Sequence, residues 1–288
     1  MTWKEAHRAA MMAAAHAHDD YGIARERYVD VFAALRTGGI KFMAQPLGSL
    51  FGVYFAPEFN GPGVVVNSSF NETVLRHTAA HELGHHCLRH GSTADESIEV
   101  FEDWGVRTWT ETEKQAEAFA AWFLMPRRAV LAALAAMGRS HISGPSDAYQ
   151  VSLWLGTSYR GTVRHLQNLR LIGPKQSAAW SASGPAELRR ALDEGAANES
   201  VRHWDLGPAA DGSDLHVRGG DRLTICTEDA EAKADILPAG LSYTPTARSR
   251  DKHMLEVGND LTARTSLSIG KWQVALLPTP NRRGLATD

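Results

Sequence analysis

Cysteine is scarce in this chain, and its scarcity excludes a fold held together by disulfides. Only Cys87 and Cys226 occur among 288 residues, and they lie far apart in the sequence. Small secreted domains that depend on disulfides carry many more cysteines, so this usage is typical of a reducing compartment. The apolar content of 43% is enough for a hydrophobic core without such bonds.

Long apolar runs and a strong charge imbalance are also missing. No segment approaches the roughly 18 consecutive apolar residues that a membrane-spanning helix needs, and the N-terminal stretch lacks the uninterrupted apolar region of a signal peptide. A net charge of -3 gives no general signature of nucleic-acid binding, although a local basic face remains compatible with it. We therefore expect a cytoplasmic protein without a membrane segment.

The most informative motif that is present is His81-Glu82-Leu83-Gly84-His85, an H-E-x-x-H sequence. Two imidazoles four residues apart lie roughly 40° apart around a helix, so both can bind one metal ion. Neutral imidazoles are good zinc ligands. Glu82 points to the neighbouring sector, where its carboxylate can take a proton from a water on the metal and serve as general base in peptide hydrolysis.

This geometry requires a helix, and the flanking residues favour one. Ser69 and Glu72 match a capping box, and Gly91 predicts the end of the helix. Residues 70–90 contain no proline and carry an apolar stripe. The alternative is a chance match on an amphipathic helix with two exposed histidines, because a bare H-E-x-x-H motif recurs by chance.

A catalytic zinc usually takes three protein ligands, and several downstream side chains could supply the third. His86 is displaced by roughly 100° from His85, and His90, five residues further on, is also badly angled on the same helix. Glu113 and Glu117 are stronger, because they occupy positions i and i+4 of a second predicted helix. Helix spacing does not choose between them, and both could instead be solvated surface carboxylates. The remaining candidates are Asp95, Glu96 and Glu99.

The rest of the chain predicts an α+β organisation that becomes β-rich towards its end. Three short strands precede the metal helix, at residues 40–44, 50–55 and 64–67. A helix at 111–124 stops before Pro126, and another runs to Met137. Two helices around Gly156 follow, and beyond Gly207 short strands predominate. These strands are predicted at residues 215–217, 223–227, 255–257, 266–269 and 272–277, and we expect the tail 281–288 to be loose.

Three separated blocks together resemble the ImmA/IrrE-type metallopeptidases of bacteria and phages. They are Val64-Val-Val-Asn67, Ala80-His-Glu-Leu-Gly-His85, and an E-x-x-A-x-x-F-A…L-M-P block made of Glu113, Ala116, Phe119, Ala120, Leu124, Met125 and Pro126. The resemblance implies that Glu113 is the third ligand. Glu117 stands where relatives often have asparagine. It is therefore a candidate for a residue that hydrogen-bonds to a metal ligand without binding the metal itself.

The resemblance also implies three domains, namely a zincin-like zinc peptidase core at 1–138, a helix-turn-helix-like module at 139–174, and a β-rich sensor or regulatory domain, GAF-like by domain order, at 175–288. The implied substrate is a helix-turn-helix transcriptional repressor whose cleavage derepresses stress-response, defence or mobile-element genes. We favour the helical module as a wall of the substrate cleft over a nucleic-acid contact, because its basic residues are sparse. Those residues are Arg160, Arg164, His165 and Arg170.

Several alternatives stay open. The chain could be a DNA-binding regulator that keeps a metal site but has no proteolytic activity, or a general protease. The metal could be Zn²⁺ or Mn²⁺. Cys226 is either an ordinary strand residue or a regulatory thiol whose thiolate blocks the metal. The sequence does not rank the residues that could stabilise the oxyanion, which are Tyr54, His77, Tyr149, Tyr159 and Arg160.

Overall fold

A computed structural model shows a mixed α+β protein. It describes residues 1–58, 60–95, 109–192, 201–226, 237–244, 252–280, 282 and 284–285. The helices are α1 (Trp3–Asp20), α2 (Val31–Thr37), α3 (Glu72–Cys87), α4 (Glu111–Leu124), α5 (Arg127–Ala136), α6 (Pro145–Leu155), α7 (Tyr159–Asn168), α8 (Pro174–Ala182) and α9 (Pro185–Leu192). The strands are β1 (Lys41–Gln45), β2 (Gly52–Phe55), β3 (Gly63–Asn67), β4 (Thr93–Asp95), β5 (His203–Leu206), β6 (Asp214–Val217), β7 (Arg222–Cys226), β8 (Leu241–Thr244), β9 (Lys252–Val257), β10 (Thr265–Ile269), β11 (Trp272–Pro278) and β12 (Gly284–Leu285).

The chain divides into two compact units. The first contains Met1–Val130, Arg160–His165 and Asn281–Asp288, and the second contains Leu131–Tyr159 and Leu166–Pro280. The α+β class agrees with the sequence. The three predicted domain boundaries and the GAF-like character of the last domain stay predictions.

The first unit is built on a five-stranded sheet in the order β12-β1-β3-β2-β4. Strands β1 and β3 are parallel, and the other neighbouring pairs are antiparallel. Alternate residues of the central strands are buried, as period-two side-chain placement requires: Phe42 and Ala44 in β1, Val64 and Val66 in β3, and Tyr54 in β2. This buried face packs against α3, so the sheet positions the H-E-x-x-H helix.

Helix α3 is shorter than the sequence predicted at both ends. Its N-cap is Asn71, whose side chain accepts a hydrogen bond from Val74 N at 3.2 Å. The predicted capping box at Ser69 is wrong, because the Ser69 amide donates to the Asn67 side chain in the preceding turn. The predicted stop at Gly91 is also wrong, since the helix ends at Cys87.

Helix α4 has the predicted bounds and lies close to α3. The Thr110 side chain caps its start by accepting from Glu113 N at 3.2 Å, and the helix ends immediately before Met125-Pro126. Gly84 allows the close approach, because a Cβ added there would lie 3.1 Å from the Ala116 Cα and the Phe119 Cβ. Two helices that each carry metal-ligand candidates are thereby held side by side.

The tail is ordered where it is described, so the expectation that residues 281–288 are loose is wrong there. Strand β12 pairs antiparallel with β1, with Leu285 opposite Met43. Arg282 lies 3.7 Å from the centre of the Phe32 ring and 3.4 Å from Glu72 Oε1 at the start of α3. These contacts attach the tail to the first unit.

The second unit contains a three-stranded sheet, β10-β11-β6, and a four-stranded sheet, β5-β7-β9-β8. The predicted β-rich character is therefore present, and α8 and α9 are helices that the sequence analysis missed. Helix α6 is attached to β5, because Tyr149 Oη accepts from His203 N at 3.1 Å and Gln150 donates to His203 O at 2.8 Å. The predicted turn between α6 and α7 is present, with Gly156 in the left-handed region at φ 63°.

One stretch, Glu111–Ala136, is long and apolar enough to cross a membrane by length and composition alone. It comprises α4 and α5 with the break at Pro126 between them, and more than half of its most apolar window is buried. Buried core helices commonly have the same length and composition, so this stretch is weak evidence for a membrane span. A cytoplasmic location stays a prediction.

Candidate metal centre

Helices α3 and α4 bring His81, His85 and Glu113 together. One ligand atom of each lies within 4.8 Å of the others. The His81 Nε2 atom is 3.1 Å from His85 Nε2 and 3.1 Å from Glu113 Oε2, and His85 Nε2 is 3.6 Å from Glu113 Oε1. Tetrahedral ligands about 2.0–2.1 Å from a zinc ion lie about 3.3 Å from one another, so both the donor types and their spacing fit zinc.

The electrostatics of this cluster favour an ionised carboxylate. Burial by itself raises the pKa of Glu113, but the hydrogen bonds and charges of His81 and His85 outweigh it and hold that pKa well below its usual value. Both imidazoles are buried, whereas 22% of the Glu113 side chain is exposed. The cluster therefore offers two imidazole nitrogens and one anionic carboxylate oxygen as metal-ligand candidates.

Glu82 is fully buried beside the ligands and lies against β2 at Gly52. A Cβ added at Gly52 would lie 2.3 Å from Glu82 Oε1 and 2.5 Å from Thr78 Cγ2. Only glycine leaves the space that this carboxylate occupies. The strand thus fixes the acid that the sequence predicts to be the general base.

Glu117 lies behind His81. Its Oε2 is 3.2 Å from His81 Nδ1, and both of its oxygens are 3.0 Å from His77 Nε2. Burial raises the pKa of Glu117, but His77 and His81 outweigh it and lower that pKa. This is the supporting position that the sequence analysis suggested for Glu117. His77, named as an oxyanion candidate, instead faces this carboxylate.

His90 is a site residue that the sequence analysis missed. Its Nδ1 is 3.0 Å from His85 Nδ1, and its Nε2 is 3.0 Å from Gln115 Oε1. The expectation that His90 is badly angled assumed that α3 continues to residue 90. Because the helix ends at Cys87, the chain folds back and brings His90 against His85.

The other ligand candidates lie elsewhere or outside the described residues. His86 faces away from the ligands, as expected, and its Nδ1 is 3.0 Å from Tyr54 Oη. Asp95 belongs to β4, but its side chain is outside the described part, as are Glu96 and Glu99. Cys226 ends β7, and its side chain is not described either.

The remaining oxyanion candidates have contacts of their own. In the second unit, Tyr149 Oη accepts from His203 N, and Tyr159 Oη donates to Trp180 O at 2.9 Å. Arg160 is exposed at the start of α7. The geometry therefore brings the predicted ligands and base together but selects none of these residues as the oxyanion donor.

The basic residues predicted along α7 do not form one exposed face. His165 is buried in the first unit, where its Nε2 donates to Met125 O at 3.1 Å and its ring packs against Trp122. Burial lowers the pKa of His165 to about 3 and that of Arg164 to about 10. Arg160 and Arg170 are exposed.

Comparison with known families gives a match over this part of the chain. Residues 39–153 match the family Peptidase M78, described as the IrrE N-terminal-like domain. The match covers strands β1–β4, the metal helix and α4, and it includes every predicted ligand as well as Glu82. A search of curated proteins found no match.

Proposed function

We propose that this protein is a zinc-dependent endopeptidase, because its residues 39–153 match the family Peptidase M78, the IrrE N-terminal-like domain. The observation that carries this proposal is the convergence of three donor atoms within 4.8 Å, beside a fully buried acid. His81, His85 and Glu113 would hold the metal. A purely structural zinc site is closed by four protein ligands and needs no neighbouring base.

The bound metal would polarise the scissile carbonyl and acidify a water molecule. Glu82 accepts the proton of the attacking water and later delivers it to the leaving amine. The cradle at Gly52 fixes the position of that carboxylate, so little orientation is lost when the substrate binds. Glu117 accepts a hydrogen bond from the outer nitrogen of His81 and keeps its inner nitrogen available to the metal.

The test is Glu82→Gln. We expect the variant to bind one Zn²⁺ per chain like the wild type but to lose about 10²–10⁴-fold in cleavage rate, the usual contribution of a general base. Glu187→Gln, at an exposed glutamate of α9, is the matched control. Cleavage by Glu82→Gln at the wild-type rate would show that Glu82 is not the general base. Metal analysis of the purified protein decides between Zn²⁺ and Mn²⁺.

We further propose a helix-turn-helix transcriptional repressor as the substrate, cleaved at one site. The support is the family resemblance carried by the H-E-x-x-H and E-x-x-A-x-x-F-A…L-M-P blocks. Incubation with a repressor encoded beside this chain should give two fragments by mass spectrometry. Degradation of unfolded casein at a comparable rate would indicate a general protease instead.

The structure lends little support to the alternative of a non-proteolytic DNA-binding regulator. Of the four basic candidates on α7 and just after it, His165 is buried and hydrogen-bonded to Met125. Affinity for duplex DNA that falls steeply with salt, together with no cleavage of any repressor, would favour that alternative.

A further inference from the structure

The end of the metal helix is a Schellman motif built without glycine. The His90 amide donates to His85 O at 2.9 Å, and the Arg89 amide donates to His86 O at 3.1 Å. These are the two hydrogen bonds that define the motif. Arg89 occupies its left-handed position with φ 58°, where glycine is usual.

In this motif the residue after the left-handed position lies against the third residue from the helix end, and the two side chains commonly make an apolar contact. Here the two residues are His90 and His85, and their contact is polar, with the two Nδ1 atoms 3.0 Å apart. The backbone turn itself therefore delivers His90 to a metal-ligand candidate.

The hydrogen bonds have only one direction that is compatible with metal binding. His85 must present the lone pair of Nε2 to the metal, so the proton of its neutral ring is on Nδ1. That N–H donates to His90 Nδ1, which leaves the proton of His90 on Nε2, where it donates to Gln115 Oε1 at 3.0 Å. Gln115 on α4 thus sets the tautomer of His90, and His90 sets the tautomer of His85.

We propose that His90, placed by this turn and oriented by Gln115, is a positioning residue that fixes His85 in its metal-binding tautomer. The inference rests on the proposed metal site. His81 and His85 are supported differently. The acceptor for His81 is the carboxylate of Glu117, whereas the partners that follow His85 are an imidazole and an amide, those of His90 and Gln115.

The first experiment measures the Zn²⁺ dissociation constant by competition with a chromophoric chelator. Loss of a supporting hydrogen bond usually costs about 10–100-fold in metal affinity, so we expect His90→Leu to weaken Zn²⁺ binding by that factor. His90→Gln retains an acceptor and should recover most of it. Gln115→Glu can only accept from His90 and should bind at least as tightly as wild type, whereas Gln115→Leu should bind less tightly.

The second experiment changes the turn and leaves His90 in place. Arg89 is exposed, so its substitution removes little packing. Glycine adopts the left-handed conformation freely, whereas a β-branched residue strongly resists it. We expect Arg89→Gly to bind Zn²⁺ like wild type and Arg89→Val to weaken binding as His90→Leu does. Circular dichroism of each variant shows whether it is folded.

The spectroscopic check is ¹⁵N NMR of the histidine side chains in the Zn²⁺-loaded protein, which reports the tautomer of His85 directly. Wild type, Arg89→Gly and His90→Gln should show His85 protonated on Nδ1. If wild type binds Zn²⁺ and folded His90→Leu and Arg89→Val bind it equally well, the positioning role is wrong and the metal site stands. If wild type fails to bind Zn²⁺ or Mn²⁺, the proposed function is wrong, and this inference with it.

Discussion

Replacing Gly52 with alanine tests how the buried acid is held. The added Cβ would lie 2.3 Å from Glu82 Oε1, whereas ordinary van der Waals contact begins near 3.4 Å. The carboxylate must therefore move by about 1 Å, or β2 must shift by a similar amount. A misplacement of about 1 Å in a catalytic group can cost about 10²-fold in rate, which corresponds to about 2.7 kcal/mol in the activation barrier.

The assay compares single-turnover cleavage of the repressor substrate with Zn²⁺ affinity in the same preparations. Because Glu82 is not a ligand, we expect Gly52→Ala to lose about 10²-fold in rate while Zn²⁺ binding changes little. Gly63→Ala is the matched control on β3, since its Cβ would meet nothing closer than 3.8 Å. A folded Gly52→Ala protein that cleaves like wild type would refute the idea that β2 fixes the position of Glu82.

Three further predictions concern packing and pH. Gly84→Ala should destabilise the fold and weaken Zn²⁺ binding, because the added Cβ would lie 3.1 Å from the Ala116 Cα, and a backbone atom of α4 cannot give way as a flexible side chain can. The cost of overpacking, about 1–3 kcal/mol, should then offset the helix-propensity gain of about 1 kcal/mol. A variant more stable in urea than wild type would contradict this. Arg282→Ala should lose about 1–2 kcal/mol through its Phe32 and Glu72 contacts, and an unchanged urea midpoint would contradict it. His165 is neutral in the folded state because burial lowers its pKa to about 3, so stability is lost as pH falls below about 6.5, by up to about 1.4 kcal/mol per pH unit. His165→Gln should therefore show a shallower loss of stability between pH 6.5 and 4.5, and a loss as steep as that of wild type would contradict it.

The sequence predicted those parts of the fold that local signals specify. The bounds of α4 follow from the cap at Thr110 and the stop at Pro126, and the H-E-x-x-H motif placed two candidate ligands on one helix face. The structure brings Glu113 to these two histidines, whereas helix spacing alone did not distinguish Glu113 from Glu117 as the third ligand. Which of the two glutamates faces the histidines depends on how α3 and α4 pack, and the periodicity of one helix does not encode that packing.

What the sequence could not predict depends on residues that act against their usual preferences. The left-handed residue after α3 is Arg89, where glycine is usual, so the sequence carries no signal for the end of the helix before Gly91. A helix that continued to residue 90 would point the His90 side chain away from His85, which is why the sequence did not predict their contact. The missed helix α8 did carry a usable signal, because Pro174 occupies its first turn. Strand β12 carried almost none, since two residues of a polar tail show no alternation.

Strand β12 also protects the protein against self-association. An uncovered edge strand presents unpaired backbone groups to which strands of other molecules can add. Leu285 and Gly284 occupy that edge of β1 with the protein's own backbone. A chain shortened to residue 280 would present the β1 edge in its place, and we expect it to form concentration-dependent oligomers detectable by light scattering. The two residues of β12 would then govern solubility by covering the edge of β1.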